Sequence, residues 1–140
     1  MMKGIYCLLI RLENNCKINV GKIGIIEFKS GFYIYVGSAL NSLDARLKRH
    51  TRKEKRIFWH IDYLLKNAKI IDIVYAKTTE RIECKIAELL FNNLKPIPNF
   101  GSSDCKCKSH LFYSDDLEKI INTAINAFRK LKLRQYRFHI

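Results

Sequence analysis

The sequence predicts a small α+β domain, with a mostly antiparallel sheet flanked by helices. Three observations predict it. Near the N-terminus, alternating apolar segments follow one another with only short polar or glycine breaks, which is the pattern of strands joined by tight turns. Further on, the apolar spacing changes to the helical period around one more strand-like run. A chain of 140 residues also suits one domain with one core, burying roughly two thirds of its unfolded surface without a covalent staple.

KGIYCLLIRL (3–12), KIGIIEF (22–28) and FYIYVG (32–37) are the expected N-terminal strands, with Asn14-Asn15, Gly21 and Ser30-Gly31 between them. Ser42 is the expected N-cap of a helix over 43–51. After the basic stretch KRHTRKEKR, a second helical segment runs through WHIDYLLKNA, and KIIDIVYAK (69–77) is a further strand. Helical spacing returns from Glu80 to Leu94, and Pro96 and Pro98 end it. The loop FGSSDCKCKSH follows. Ser114 then serves as N-cap, with Asp115 and Asp116 as an acidic first turn, for a last amphipathic helix to about Leu131. With no repeat or low-complexity linker, 1–140 reads as a single domain, its core over about 3–99 and a C-terminal loop and helix over 100–140. The terminal run RKLKLRQYRFHI fits phosphate contacts or a solvated helix end and packed tail equally well.

Charge narrows the partners. Lys+Arg number 26 against 13 Asp+Glu, a formal +13. This favours a polyanion, nucleic acid before anionic membrane, because no amphipathic lipid-facing helix accompanies the excess. There is no long apolar run, and MMKGIYCLLIRLENN turns polar too early for a signal peptide, so the expectation is a cytoplasmic protein. Five cysteines, an odd number, argue for reduced thiols or metal ligands over a disulfide framework. Cys105, Cys107 and His110 lie close together, with Cys84 on a helix edge, and could supply a tetrahedral zinc site. The favoured alternative is a tight turn in which reduced cysteines pack as small hydrophobes; a redox-sensing pair is weaker, because Cys-x-Cys lacks the helix-borne spacing of such sites.

Several residues could converge. Tyr6 lies on the first strand and Tyr35 on the strand before the first helix; if these strands are neighbours, both phenols can share a face. An isolated strand tyrosine is ordinarily a packing residue. Arg46 and His50 are i,i+4 neighbours beside the apolar edge of Leu43 and Leu47. Lys48, Arg49, Arg52, Lys53, Lys55 and Arg56 are candidates for phosphate contacts at the surface. On the helix around 82–94, Ile82, Ile86, Ala87, Leu90 and Leu94 form the core stripe, with Glu83 near its centre and Glu88 opposite. A core-facing carboxylate needs a partner or a metal. A buried pair with Arg46 and a Mg²⁺ or Mn²⁺ site are equally good readings of Glu83.

Gly4-Ile5-Tyr6, Tyr35-Val36-Gly37, Arg46-x-x-x-His50 and the helical Glu83, in that order, resemble the GIY-YIG nuclease superfamily over about residues 3–99. Val36 replaces the isoleucine of the second signature, and the spacing between the signatures exceeds the compact family pattern. The resemblance implies a small three-stranded sheet flanked by helices and metal-dependent hydrolysis of DNA by a single Mg²⁺ or Mn²⁺ held by Glu83. Tyr6 would activate water, Tyr35 would orient it, Arg46 would neutralise charge on the phosphate and His50 would assist. His60 corresponds to a second histidine of some members, and Asn99 to a recurrent asparagine. SGFYIYVGSAL, FWHIDYLL, IECKIAELL and FGSSDCKCKSHLFY are similar to an archaeal branch sometimes found beside an endonuclease III type DNA glycosylase, which implies repair or recombination and a possible repair-protein partner. Two other readings stand beside the nuclease. One is a nucleic-acid-binding module of the same fold with little catalysis; the other is a zinc-stabilised interaction domain.

Overall fold

The computed structural model describes residues 3–39, 41–101 and 109–138. Its centre is β1 (Gly4–Leu12), buried at every position except Arg11. A strand covered on both faces needs apolar residues throughout, which is why GIYCLLI reads as a nearly continuous run. β1 lies between β4 (Gly31–Ala39) and β5 (Lys69–Lys77), antiparallel to both.

Three short strands extend this unit: β6 (Lys95–Pro96), β7 (Leu111–Ser114) and β8 (Tyr136–Arg137). The six-stranded sheet runs β6-β7-β4-β1-β5-β8 with antiparallel pairing throughout. The fold is thus the α+β class expected, but with a wider sheet than the three strands the resemblance implied. The terminal tail supplies one edge: Tyr136 pairs with Tyr75 in the ladder, and Arg137 forms an ion pair with Asp72.

The expected strand 22–28 is corrected in two respects. Gly21–Ile23 forms a 3-10 turn, and only β3 (Ile25–Phe28) is extended; it pairs with β2 (Cys16–Asn19) in a separate two-stranded hairpin. Gly21 and Gly24 adopt φ of 51° and 95°, and those left-handed positions break the run.

The helices divide between the two faces of the sheet, so the single core expected is split into two layers. On one face, α1 (Leu43–Thr51) and α2 (His60–Leu65) pack with Phe28 and Phe100 against Tyr6, Leu8, Ile10, Tyr33 and Tyr35. On the other, α3 (Glu83–Phe91) and α4 (Leu117–Lys130) cover Ile5, Cys7, Leu9, Ile34 and Val36. α1 begins as expected, with the Ser42 side chain accepting from Ala45 N at 3.2 Å. For α4 the cap lies two residues later than expected: Ser114 ends β7, and Asp116 accepts from Lys119 N at 3.3 Å. A serine that completes a ladder cannot also open the helix.

Candidate functional site

The two signature glycines allow one tyrosine to lie flat at the sheet's end. Tyr6 is opposite Gly37 in the β1/β4 register. A Cβ on Gly37 would collide with the Tyr6 ring and hydroxyl, and one on Gly4 would meet Ala76 O and, at 2.8 Å, Leu43 Cδ2 of α1. Glycine at both places lets the ring lie across the strand and α1 settle close over it. Tyr6 and Tyr35 do share a face, as the neighbouring strands require.

From α1, His50 Nε2 reaches the Tyr6 hydroxyl at 2.7 Å, with only 2% of each residue exposed. Burial pushes the Tyr6 pKa up to about 12, and the Arg46 guanidinium opposes the shift. Burial likewise pushes His50 down to about 3, against the pull of the Asp62 carboxylate. At neutral pH the pair is therefore a protonated phenol and a neutral imidazole. His50 Nδ1 is buried with no hydrogen-bond partner among the described residues. Tyr35 is edge-on to His50, ring centroids 6.4 Å apart, and burial raises its pKa strongly. Arg46 donates from Nη1 to Ser38 O at 2.9 Å and lies over the Trp59 ring at 4.5 Å.

The α1–α2 connection builds a second layer around this cluster. Asp62, fully buried, accepts from Arg49 Nη1 and Nη2 at 3.1 and 2.9 Å and from the backbone N–H groups of Phe58 and Trp59 at 2.9 and 3.0 Å. Those bonds hold its pKa below the ordinary carboxylate value although burial pushes the other way. Arg49 also lies over Trp59, at 4.3 Å, so the indole carries two guanidinium groups. The sequence reading passed over Asp62, Trp59 and Phe58. A signal was available: an acid three residues into a helix, ahead of an apolar run, satisfies N-terminal backbone donors.

Two of the expected phosphate contacts also have partners inside the fold. Arg49 is committed to Asp62 and to Arg56 O, the latter at 3.0 Å. Lys55 caps the C-terminus of α1, donating from Nζ to His50 O at 2.7 Å and Arg52 O at 3.0 Å. Lys48 pairs with Asp44 in the exposed i,i+4 manner, and Arg52, Lys53 and Arg56 are exposed. Arg46, Arg49, Arg52, Lys55, Arg56, Phe58 and Trp59 line an open basin of about 610 Å³.

Glu83 is the first residue of α3 and is half-buried. The α3 stripe is as expected, with Ile82, Ile86, Ala87, Leu90 and Leu94 buried and Glu88 exposed. That stripe faces the layer opposite Tyr6 and His50. A pair with Arg46, one of the two readings of Glu83, is absent among the described residues, whose ion pairs are Asp44–Lys48, Arg49–Asp62 and Asp72–Arg137. Glu83 Oε2 is buried with no hydrogen-bond partner among the described residues, and the carboxylate acts electrostatically on buried His110, raising a pKa that burial lowers. His110 is one strand over from Val36, whose N–H donates to His110 O at 2.9 Å. Cys105 and Cys107 lie outside the described residues, and among the described residues no three His, Cys, Asp or Glu side chains cluster as a metal site. His60 has a packing role, its Nδ1 accepting from Gly101 N at 2.9 Å. Asn99 is exposed with φ of 63°. No helix of the described residues is long and apolar enough to cross a membrane.

A family model described as Domain of unknown function DUF123 matches residues 5–133. The chain belongs to this family. No curated protein and no solved structure matches it. The DUF123 match includes Tyr6, Tyr35, Arg46, His50, Asp62 and Glu83, and so spans both layers of the sheet and the helices that cover them. Chemically, the arrangement offers a hydroxyl and an imidazole placed for proton transfer, a guanidinium beside them, and, at the start of α3, a buried carboxylate oxygen with no hydrogen-bond partner among the described residues.

Proposed function

We propose that the protein is a metal-dependent endonuclease of the GIY-YIG type, hydrolysing DNA phosphodiester bonds in repair or recombination. The observation that carries this reading is the 2.7 Å contact between the Tyr6 hydroxyl and His50 Nε2 with Arg46 alongside. In the reaction, water adds to phosphorus and a P–O ester bond breaks, the departing oxygen ending protonated. A free phenolate is a poor candidate base here, because burial keeps Tyr6 protonated. Tyr6 instead takes the proton of water as it gives its own to His50 Nε2, and an anionic phosphate nearby favours the imidazolium that results. Arg46 stabilises charge growing on the phosphoryl oxygens, and Tyr35 orients the water.

Glu83 is the residue that would hold Mg²⁺ or Mn²⁺. A buried carboxylate oxygen with no partner among the described residues suits a hard cation, and such ions accept one protein carboxylate with water and phosphate completing the shell. When bound, the ion supplies Lewis-acid stabilisation of the phosphoryl group.

A second reading, a nucleic-acid-binding module that partners a repair enzyme, is favoured by two observations. Tyr6 and Tyr35 are 2% and 7% exposed, and the helix bearing Glu83 packs on the other face of the sheet. Nicking of supercoiled plasmid and of a branched duplex, with and without Mg²⁺ or Mn²⁺, separates the two. Metal-dependent nicking lost in Glu83→Gln and Arg46→Ala supports the nuclease. Salt-sensitive binding without cleavage under either metal, unchanged in Glu83→Gln, supports the module.

A further inference from the structure

Phe58 is 75% exposed, next to the buried part of the site. Burying a large aromatic side chain is favourable, so solvent exposure forgoes a stabilisation that the fold could have used. The position is also rigidly built. Its backbone N–H donates to buried Asp62 at 2.9 Å, and its ring stands edge-on to Trp59, centroids 4.9 Å apart at 79°. That geometry leaves the ring exposed at the rim of a basin whose other lining is almost wholly cationic. Arg52 and Arg56 are exposed beside it, and Arg46 links the basin to Tyr6. The buried carboxylate behind the basin, Asp62, is neutralised by Arg49, and exposed Asp44 of α1 is paired with Lys48.

A flat apolar ring ringed by guanidinium groups matches the two faces of a nucleotide that has left its stack: a base to cover the ring and phosphates on either side to meet the arginines. A fully paired duplex offers the phosphates but keeps its base faces stacked on one another. We propose that Phe58 is a stacking platform for an unpaired DNA base, so that the basin selects gapped, bulged or branched DNA over continuous duplex. The proposal rests on the DNA-directed reading above and deepens it by naming the substrate class. It does not depend on cleavage.

The test is binding in EDTA by the full chain to a labelled duplex and to the same duplex carrying a three-nucleotide gap. Trp59, the single tryptophan, touches Phe58 and serves as a second, intrinsic fluorescence reporter. Wild type is expected to prefer the gapped duplex. Phe58→Ala should lose roughly tenfold on the gapped duplex, within the range of single stacked aromatics, and less than about twofold on the continuous one. Phe58→Tyr should keep the preference, and Arg52→Ala should weaken both probes alike. Equal losses on both probes in Phe58→Ala, or no loss on either, would overturn the platform while leaving the endonuclease reading intact. Cleavage absent but selectivity present would overturn the endonuclease and leave the platform. Failure of wild type to bind either probe would overturn both. Binding to anionic phosphatidylserine vesicles that Phe58→Ala abolishes, with DNA selectivity unchanged, would reassign the ring to a membrane surface.

Discussion

At the scale of single residues, the site depends on a ring that fits only because a side chain is missing opposite it. Gly37→Ala would place a methyl group into the Tyr6 ring. The strand is central and cannot move aside, so overpacking of about 1–3 kcal/mol is expected, visible as a lower urea midpoint, with loss of nicking as the Tyr6–His50 contact is displaced. His50 gives the molecule a pH signature. Its folded pKa of about 3 lies below the ordinary 6.5, so the unfolded chain binds more protons between those values. The stability this group contributes is complete above pH 6.5 and is lost as pH falls toward about 3, at about 1.4 kcal/mol per pH unit. Between pH 6.5 and pH 5 the loss from His50 should be about 1.6 kcal/mol, because the unfolded imidazole is only half protonated at the upper end. His50→Phe should be less stable at neutral pH, since Tyr6 loses its partner, yet should show that much less dependence across this window in urea titrations. His60 and His110 also titrate low, so the difference between the two proteins, not the wild-type slope, isolates His50.

At the scale of elements, the connection between α1 and α2 is held by one buried carboxylate with four donors. Asp62→Ala would leave Arg49 and two backbone N–H groups without their acceptor inside the layer, and about 3–5 kcal/mol of destabilisation is expected. Lys48→Ala, which breaks an exposed i,i+4 pair, should change stability by no more than about 0.5 kcal/mol in the same denaturation experiment. The contrast explains which elements were legible. α1 over 43–51 and β5 over 69–77 match their expected spans because capping and apolar period act within the segment. β2, β6, β7 and β8 span two to four residues each and owe their existence to partners distant in sequence, which no local pattern encodes. Within the site, Tyr6, Tyr35, Arg46 and His50 were legible because adjacent strands and one helical turn suffice to gather them. Periodicity found the buried stripe of α3, with Glu83 beside it, but is silent about which face of the sheet that stripe covers. Asp62 and Phe58 were missed because their meaning arises only when α2 docks: one carboxylate then closes a loop, and one aromatic is left outside.

At the scale of the whole molecule, the excess of 26 basic over 13 acidic residues is not all available to a ligand. Arg49 and Lys55 are spent on the fold, Lys48 has a surface partner, and Arg137 is tied to Asp72. Arg52, Lys53 and Arg56 remain exposed on the α1–α2 connection, with Arg46 deeper in the same basin. For DNA confined to this basin, the count limits the electrostatic footprint. If about four phosphates are engaged, log K should fall against log salt with a slope of about −3.6, or roughly 150-fold between 50 and 200 mM. Replacing Arg52, Lys53 and Arg56 together by alanine should reduce the slope by about 2.7 and weaken gapped and continuous duplex alike, because phosphate contacts carry no sequence or pairing information. A slope much steeper than four contacts allow would mean that DNA runs beyond the basin, past Lys22 next to Phe58 or onto the opposite face, where Lys119, Arg129 and Lys130 border the cleft between α3 and α4. A flat response in wild type would remove the polyanion from the account, and the net charge would then act on solubility alone.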